Sequence, residues 1–399
     1  MEPLFKFALY VPNMSQNQTS TWKDREKLQK RKELILQMTI LAFLFVVSAF
    51  LVNVVSENLD ARNIRSGFDF LGNAAGFDIG ESLIAFQSAD SFLKAFWVGT
   101  LNTLQVSVFA IISATLLGFV VGIMQLSKHP IIRALGVWHV EVYRNLPLVV
   151  LLLAIYLVVT ELLPISRAAF HLGDWFYLSK MGVQFAVPVH SQWLWGGLVV
   201  AILGAFGYRK VVRKTVTALS ANLGTLVVFF VLVTLSFFLV GLVGGWDIPV
   251  ATRFSLRGGS QWTPEFLSLW LGLTLYTSAP IAEIVRAGIQ AVSQQQWNAG
   301  LALGLTHSQC MSYIVVPQAL RLALPPLGSQ FMNLTKNSSL AVMVGYPDIV
   351  SVGNTAINVT AQALEIIALI MLVYLFINLV IAMCIHLGNR YVMRSSQKE

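Results

Sequence analysis

Two pairs of oppositely charged residues stand inside otherwise apolar stretches of the sequence. Glu141 and Arg144 are three positions apart, and Glu283 and Arg286 repeat that spacing, which places each pair on one face of a helix. Asn145 follows the first pair directly. One interpretation is that the charges neutralise each other near a membrane interface, with long side chains that snorkel. The other is that these residues face a polar pathway or its gate.

Lys336 has no such partner close to it in the sequence and lies in a segment rich in small polar residues. Asn333 and Asn337 flank it, and Gly328 and Ser329 precede it. A charge within a bilayer is costly unless it is paired or hydrated, and such segments favour close packing or a water-lined cavity. We therefore predict that Asn333, Lys336 and Asn337 line a pathway or make an interhelical pair. Snorkelling of Lys336 to the interface is the alternative.

The longest polar interruption in the second half of the chain is residues 293–317. It lies between hydrophobic segments that end near Gln290 and begin near Pro326, and a connection of this length is expected to have internal structure. Ser293 and Gln296 form a capping-box pattern, which predicts the start of a short helix.

Gly304 stands where that helix is predicted to end, because glycine adopts the left-handed conformation without a Cβ penalty. Thr306 and Gln309 form a second capping-box pattern, and the helix that they open is predicted to end at Pro317. The segment is therefore predicted to be helix, glycine bend and helix at the membrane surface. An ordinary amphipathic surface loop is the alternative.

The composition is typical of an integral membrane protein. Hydrophobic residues make up 56% of the chain and charged residues 12%, and the mean hydropathy is +0.69. The sequence contains no Walker phosphate loop and no HExxH, GxSxG or CxxC motif, so we expect no catalytic residue. Its six histidines are scattered and its two cysteines are expected on the cytoplasmic side, so we expect neither a metal site nor a disulfide.

Eight hydrophobic segments are candidates to cross the bilayer. They are 34–55, 92–126, 139–163, 192–208, 221–246, 265–290, 326–346 and 363–387. Of the 27 lysines and arginines, 19 fall on the side of the termini in such a topology, and seven fall in the opposite loops. Because basic residues favour cytoplasmic loops, both termini and residues 293–317 are expected in the cytoplasm. This distribution accounts for the net charge of +8, so we expect no nucleic-acid partner.

The spacing within residues 293–317 resembles a signature of the permease subunits of ABC importers. That signature is Glu-Ala-Ala, three residues, Gly, nine residues, Ile, one residue and Leu-Pro. The corresponding positions here are Asn298, Ala299, Gly300, Gly304, Ile314, Val316 and Pro317. Asn298, Gly300 and Val316 replace the family's Glu, Ala and Leu. In that family the first short helix is the coupling helix, which docks in a groove of a cytoplasmic ATPase. The resemblance implies that Trp297 and Leu301 face that groove.

Further stretches are similar to segments of the polar amino acid permeases, and the layout resembles the larger permease subunit of general L-amino acid importers. These stretches are 141–148, 276–292, 317–328 and 333–340, with Asn337 where the family more often has Asp. The resemblance implies an all-α integral membrane protein of about eight transmembrane helices around a five-helix type I importer core. The implied segments are a cytoplasmic segment 1–33, an extra helix 34–55, a periplasmic segment 56–91, core parts 92–163 and 264–390, an insertion 164–263 with two transmembrane helices, and a coupling loop 291–325.

The resemblance also implies a function and a set of partners. The chain would be a transport subunit, not an enzyme, and would move L-amino acids across the bacterial inner membrane. It would bind no cofactor, since ATP and Mg²⁺ act on separate cytoplasmic ATP-binding subunits. The other implied partners are a second permease subunit, a periplasmic amino acid-binding protein and membrane lipid. The alternative is a secondary transporter or channel that acts alone, which would be expected to show two matching halves with broken helices.

Overall fold

The computed structural model describes residues 15–61, 67–212, 218–252 and 256–395. The chain divides into two units, Met1–Gly67 and Phe68–Glu399. The first unit contains one long helix, α1 (Ser15–Ala61), whose window Arg31–Phe50 is apolar and long enough to cross a bilayer. The side chains described along this window are exposed, as expected for a helix whose apolar surface faces lipid. The predicted span 34–55 lies within α1.

The core of the second unit is built on α2 (Phe92–Gln125) and α7 (Pro264–Gln290), which pack closely along each other. A glycine on α2 makes this approach possible, because a Cβ at Gly118 would lie 2.6 Å from Cγ2 of Ile281. Small residues at such contacts let helix backbones approach and pack in a membrane. The predicted spans 92–126 and 265–290 coincide with these two helices.

The predicted third span is not one straight helix. α3 (Pro130–Asn145) and α4 (Leu148–Leu157) meet at an angle of 104°, and α4 continues as a π-helical turn to Leu162. The break falls at Pro147, which has no N–H group and favours the extended conformation seen at Leu146. The prediction of a single span over 139–163 is therefore wrong in its start and in its shape.

Short strands, which the sequence does not predict, lie at both ends of the insertion. They are β1 (Phe170–Leu172), β2 (Phe176–Ser179), β3 (Gly182–Phe185), β4 (Val187–Pro188), β5 (Trp246–Asp247), β6 (Val250–Ala251), β7 (Leu256–Arg257) and β8 (Ser260–Trp262). The order β1-β2-β3-β8 forms an antiparallel sheet, while β4 pairs with β5 and β6 with β7. The Trp262 ring packs against Phe109 and Phe266 and attaches this sheet to α2 and α7. Strands this short show too little alternation to be predicted.

The two helices predicted within the insertion are present. They are α5 (Trp193–Val212) and α6 (Ala218–Gly244), and they pack on each other as a hairpin. A Cβ at Gly197 would lie 2.6 Å from Cβ of Ser236, so glycine again permits close approach of two membrane helices. Most of the large apolar side chains of α5 and α6 are exposed.

The segment after α7 differs from the prediction at Pro317. The helices α8 (Gln294–Ala302) and α9 (His307–Cys310) lead through a π-helical turn, Met311–Val315, directly into α10 (Val316–Asn337). Pro317 therefore does not end a helix, since the helical backbone continues through it into the first turn of α10. The predicted seventh span, 326–346, begins too late and runs too far, because a 3₁₀ helix replaces α10 after Asn337.

One helix has no counterpart in the sequence prediction. α11 (Ile349–Thr360) begins where the Asp348 carboxylate accepts a hydrogen bond from the Ser351 backbone N–H at 2.8 Å. It ends at Ala361, which adopts the left-handed conformation with φ of 58°. The predicted eighth span, 363–387, lies within α12 (Ala363–Ser395).

Among the described residues, five helices are long and apolar enough to cross a membrane, and α3 with α4 makes a sixth if the bent pair is one span. The five are α1, α2, α5, α6 and α12. The other two predicted spans correspond to α7 and α10, which carry more polar residues and pack against each other and against α2. The fold is therefore a helical integral membrane fold of about eight spans, as predicted.

Candidate functional site

A cavity of about 580 Å³ lies between α3, α7 and α10. Its walls contain five of the eight residues that the sequence predicts for a pathway or gate, namely Arg144, Glu283, Asn333, Lys336 and Asn337. These residues come from three helices that are far apart in the chain. Their convergence on one cavity makes it the candidate functional site.

Helical periodicity explains which side chains reach the cavity. On α7, Tyr276, Pro280 and Glu283 line it at steps of four and three residues, and on α10 Asn333 and Lys336 are three residues apart. Each helix therefore presents one polar stripe to the cavity, while its other faces pack in the apolar core.

The charges around the cavity do not cancel. The Arg286 guanidinium donates to the Glu283 carboxylate at 2.6 Å, so this predicted ion pair is formed. Neither Arg144 nor Lys336 belongs to an ion pair in the described part of the chain. The cavity wall thus carries two unpaired cationic groups beside one neutralised pair, which favours an anionic group on a bound molecule.

The end of α10 explains why a lysine is tolerated at position 336. Lys336 lies in the last turn of this helix, where the carbonyl end of the helix dipole stabilises a cation. The side chain is exposed to the cavity, where water can hydrate the ammonium group. No carboxylate is needed to hold it, and the interhelical ion pair considered from the sequence is not formed among the described residues.

Pro280 interrupts the hydrogen bonding of α7 within the cavity wall. Proline has no N–H group, so the carbonyl of Tyr276 lacks its usual helical donor, and both residues line the cavity. That carbonyl is an acceptor available to an ammonium group. Close by, Nε2 of His139 lies 2.8 Å from Oγ of Ser278, which attaches α3 to α7.

The remaining three predicted residues do not line the cavity. Nδ2 of Asn145 donates to the Glu141 carbonyl at 2.7 Å and to its carboxylate at 3.3 Å. The predicted ion pair between Glu141 and Arg144 is therefore not formed, because the carboxylate bonds to Asn145 while Arg144 lines the cavity. Arg286 takes part only through its ion pair with Glu283.

Sequence reasoning missed several lining residues. They are Tyr276, Thr277, Pro280, Ile284, Gln330 and Leu334. Gln330 stands three residues before Asn333, so the helical period of the polar stripe on α10 contains a signal that identifies it. Ile284 and Leu334 carry no such signal, because an apolar residue in a cavity wall has the same sequence pattern as one in the core.

The first turns of α7 are closely packed. Phe266, Leu273 and Tyr346 are fully buried there, and the rings of Phe266 and Tyr346 lie 5.8 Å apart. These side chains belong to the main apolar cluster, which also includes Leu334 from the cavity wall. The chain therefore has a tight apolar contact between the cavity and the N-terminal end of α7.

The predicted glycine bend follows α8. Gly304 has a φ of +83°, as predicted. The N–H group of Leu305 donates to the Gly300 carbonyl at 3.2 Å, and that of Gly304 donates to the Leu301 carbonyl at 3.0 Å. This pair of hydrogen bonds is a Schellman motif, which requires the left-handed conformation at Gly304.

One of the two predicted capping boxes is present. The Gln309 backbone N–H donates to the Thr306 hydroxyl at 3.3 Å, and the Thr306 N–H donates to the Gln309 side chain at 2.8 Å. Ser293 is the N-cap of α8, but its side chain makes no capping hydrogen bond, so the box predicted with Gln296 is not formed.

Gly300 seats α8 on the helical turns that follow it. A Cβ at this position would lie 2.7 Å from Sγ of Cys310 and 2.7 Å from Cδ1 of Ile314. The absence of a side chain at Gly300 thus lets α8 lie directly on these two residues. Pro317 lies beyond them, in the first turn of α10.

The exposed face of α8 and its bend is partly apolar. Asn298 and Ala299 are exposed, and so are Leu301 and Leu303 at 40% and 82%. Trp297 is only half-exposed, because its ring packs 5.5 Å from the His307 ring and against the body of the protein. Leu301 and Leu303 are the more exposed large apolar side chains of this segment, and the orientation of Trp297 towards a partner's groove stays a prediction.

A small apolar cluster joins this segment to the two helices that line the cavity. Val292 and Val315 are buried in it, with Ile289 from α7 and Ala319 from α10. At the same level a Cβ at Gly288 would lie 3.1 Å from the Ala319 carbonyl, so α7 and α10 are in direct contact. The segment that contains α8 is therefore packed against both α7 and α10.

Comparison with known proteins gives the family. Residues 197–397 match the family described as binding-protein-dependent transport system inner membrane component. The chain is similar to AapQ of Rhizobium johnstonii, a general L-amino acid transport system permease protein. The two are 38% identical over 367 residues, which cover 90% of this chain and 92% of AapQ.

Two further relatives also align along most of their length. YhdX of Escherichia coli, a putative amino-acid ABC transporter permease protein, is 38% identical over 89% of this chain and 92% of its own. BztB of Rhodobacter capsulatus, a glutamate/glutamine/aspartate/asparagine transport system permease protein, is 34% identical over 90% of this chain and 93% of its own. With its membrane helices, polar cavity and helix–bend–helix segment, this chain belongs to the family of binding-protein-dependent transport system inner membrane components, as a permease subunit of an ABC transporter.

Proposed function

We propose that this chain is a transmembrane permease subunit of an ATP-driven importer that moves L-amino acids across the bacterial inner membrane. The observation that carries the proposal is the charge balance of the cavity. Arg144 and Lys336 are unpaired cations that match an α-carboxylate, while the Glu283 carboxylate and the Tyr276 carbonyl match an α-ammonium group. The names of AapQ, YhdX and BztB agree with an amino acid substrate.

We further infer that acidic and amide amino acids are among the substrates. After one cation binds the α-carboxylate, the second remains for a side-chain carboxylate. The amide groups of Gln330, Asn333 and Asn337 line the α10 wall and supply both donors and acceptors. A lysine or arginine substrate would bring a second positive charge towards Arg144 and Lys336, which opposes its binding.

The proposed coupling follows from the contact between α8 and the cavity helices. A separate ATP-binding subunit in the cytoplasm holds ATP and Mg²⁺, and α8 docks in a groove of that subunit through Leu301 and Leu303. Movement of α8 acts on α7 and α10 through the cluster of Val292, Val315 and Ala319. The two helices then change their spacing around the cavity and alternate its access between the two sides of the membrane.

The proposal includes three kinds of partner and one topology. The ATP-binding subunits lie on the cytoplasmic side, and a periplasmic binding protein delivers the amino acid to the outer side. A second, different permease subunit completes the pore, and both termini are cytoplasmic, in keeping with the distribution of basic residues. The core parts are 92–163 and 264–390, the insertion is 164–263 and the coupling loop is 291–325.

The test is uptake by the complete complex in sealed vesicles. The subunit is purified from native membranes with its bound partners and reconstituted with ATP inside. Uptake of radiolabelled L-glutamate is expected to require ATP and the binding protein, and to exceed uptake of L-arginine. Uptake by the chain alone, driven by an ion gradient without any ATPase, would instead support a secondary transporter or channel and would overturn the proposal.

A further inference from the structure

The segment Phe68–Ser91 lies across one end of the helical core, and we name it the outer strap. Its first half is anchored by buried side chains, since Phe70 and Ala75 pack in a cluster with Phe92, Ile349 and others. The rings of Phe70 and Phe92 lie 5.6 Å apart. The outer strap is therefore held firmly to the start of α2 and to α11.

Glu81 joins the second half of the outer strap to two other elements. Its backbone carbonyl accepts a hydrogen bond from Nδ2 of Asn102 on α2 at 2.8 Å. The same Asn102 amide donates to the Pro347 carbonyl at 2.9 Å, in the turn that follows the 3₁₀ helix after α10. One buried side chain thus fixes the outer strap, α2 and that turn relative to one another.

The carboxylate of Glu81 makes the third connection, to the N-terminus of α7. The Thr263 hydroxyl donates to this carboxylate at 2.6 Å. Thr263 is also the N-cap of α7, because its hydroxyl accepts from the Phe266 backbone N–H at 3.1 Å. The hydrogen bond from Thr263 is therefore the contact through which the outer strap holds the end of α7.

The position of this contact matters for alternating access. Phe266 and Leu273 pack tightly between Thr263 and the cavity lined by Pro280. A path from the cavity to this end of the molecule requires the start of α7 to move away from α2 and from Tyr346. The bond between Thr263 and Glu81 opposes that movement directly.

We propose that the outer strap holds the outer mouth of the permease closed, and that Glu81 is the positioning residue whose contact with Thr263 is released when the mouth opens. This inference rests on the proposed function. Burial raises the pKa of the Glu81 carboxyl, and a protonated carboxyl is a weaker hydrogen-bond acceptor than a carboxylate.

The first test is a reversible cross-link. Glu81→Cys and Thr263→Cys are combined with Cys384→Ser, because Cys384 is exposed and Cys310 is buried. The pair is bridged with a short bis-methanethiosulfonate, which attaches to each cysteine through a disulfide bond that reduction cleaves. ATP-driven L-glutamate uptake by the complete complex is expected to fall at least tenfold and to return on reduction. Normal uptake by the cross-linked protein would overturn the inference, since the contact would not need to open.

A matched control locks the outer strap without attaching it to α7. Ala74 and Ser91 form an isolated β-bridge within it, so Ala74→Cys with Ser91→Cys is cross-linked in the same way and is expected to transport normally. Loss of uptake in this control would show that any stiffening of the outer strap stops transport, and would overturn the role of Glu81. Absence of ATP-driven uptake in the unmodified complex would overturn the proposed function, and this inference with it.

The second test uses substitutions with a readout of coupling. Glu81→Ala removes the acceptor for the Thr263 hydroxyl. The ATPase activity measured without the loaded binding protein is then expected to rise about tenfold, the factor that corresponds to the free energy of one charge-assisted hydrogen bond. Glu81→Gln retains a neutral side-chain carbonyl acceptor, so its ratio of stimulated to unstimulated activity is expected to lie between those of the wild type and Glu81→Ala. If the two variants have the same ratio, the hydrogen bond has no part in holding the mouth closed.

Discussion

At the scale of single residues, the two cations of the cavity have different origins. Lys336 is supported by the end of α10, and Arg144 lies in the wall because α3 ends just before Pro147. The sequence indicates Lys336 clearly, since a lone lysine among amides in a membrane segment demands a reason. For Arg144 it leaves two alternatives open, the cavity and an ion pair with Glu141 three residues earlier.

Removal of the Lys336 charge is expected to weaken substrate binding. In Lys336→Met the cavity keeps its size but loses one cation. A charge-assisted hydrogen bond contributes about 1.5–3 kcal/mol. Loss of this bond should therefore raise KM for L-glutamate on the order of tenfold or more. Uptake kinetics in vesicles measure this, and copurification of the ATP-binding subunit should be unchanged. Glu141→Gln is the matched control, because Glu141 does not line the cavity. Full activity of Lys336→Met would remove Lys336 from the pathway.

The buried carboxylate of Glu81 is expected to make stability depend on pH. Burial raises its pKa above the ordinary value of 4.5, Thr263 partly offsets this and Glu265 adds to it. The folded state therefore holds its proton at pH values where the unfolded chain has lost it. This contribution to stability is complete below the ordinary pKa and is lost as the pH rises through the raised value.

Glu81→Gln should remove this component of the pH dependence. The melting temperature of the wild-type complex is measured from pH 4 upwards, and its decline through the acidic range should be shallower in the variant, with a similar melting temperature at the lowest pH. Asp78→Asn, at an exposed position of the outer strap, should leave the wild-type slope unchanged. Identical slopes for Glu81→Gln and the wild type would show that Glu81 is not titrating in this range.

At the scale of elements, the helix–bend–helix segment is the part that the sequence predicts best. Local signals control it, because Gly304 supplies a backbone conformation and Thr306 supplies a cap, and both act within a few residues. Pro317 is the exception. The helical backbone continues through it, although proline usually interrupts a helix. Val315 and Ala319 beside it pack with Ile289 of α7, a contact that no local pattern reveals.

Gly304→Val is expected to uncouple the protein without removing it from the membrane. A β-branched residue at a φ of +83° is strained by roughly 1–3 kcal/mol, so the Schellman bonds break and Leu301 and Leu303 no longer face one groove together. Membrane abundance should be normal, while uptake and the response of ATPase activity to the loaded binding protein should be lost. Gly304→Ala should be milder, because alanine is less strained than a β-branched residue at a positive φ. Normal coupling in the valine variant would exclude the bend from the mechanism.

At the scale of the whole molecule, hydropathy predicts which stretches are helices but not how they are arranged. α2 and α12 are recognisable by apolar length alone, whereas α7 and α10 are functional walls and carry too many polar residues for the same criterion. The small sheet, α11 and the bend at Pro147 arise from tertiary contacts between segments such as β3 and β8, which are far apart in sequence. The shape of the cavity depends on these contacts, so its apolar lining residues were beyond prediction.

The hairpin of α5 and α6 provides a test of the overall topology. Basic residues cluster between these helices, at a connection that includes residues outside the described ranges, and the strands on either side lie at the opposite end. A reporter fused after Lys214 should therefore be active only in the cytoplasm, and one fused near Gly258 only in the periplasm. The same reporter fused after α12 should agree with the first fusion. If both insertion fusions report one side, the hairpin does not cross the membrane.

The proline in the middle of α7 has a consequence for leakage. A helix of 27 residues is about 40 Å long, so α7 reaches from the outer strap to α8. If α7 were rigid, each tilt imposed at α8 would move Thr263 at the same time. Both ends of the pore would then be open briefly, and solute would leak through without ATP hydrolysis. Because the helix lacks a hydrogen bond at Pro280, we expect its two halves to tilt one after the other. One end of the permease would then close before the other opens, so the pore would never be open at both ends while ATP is hydrolysed.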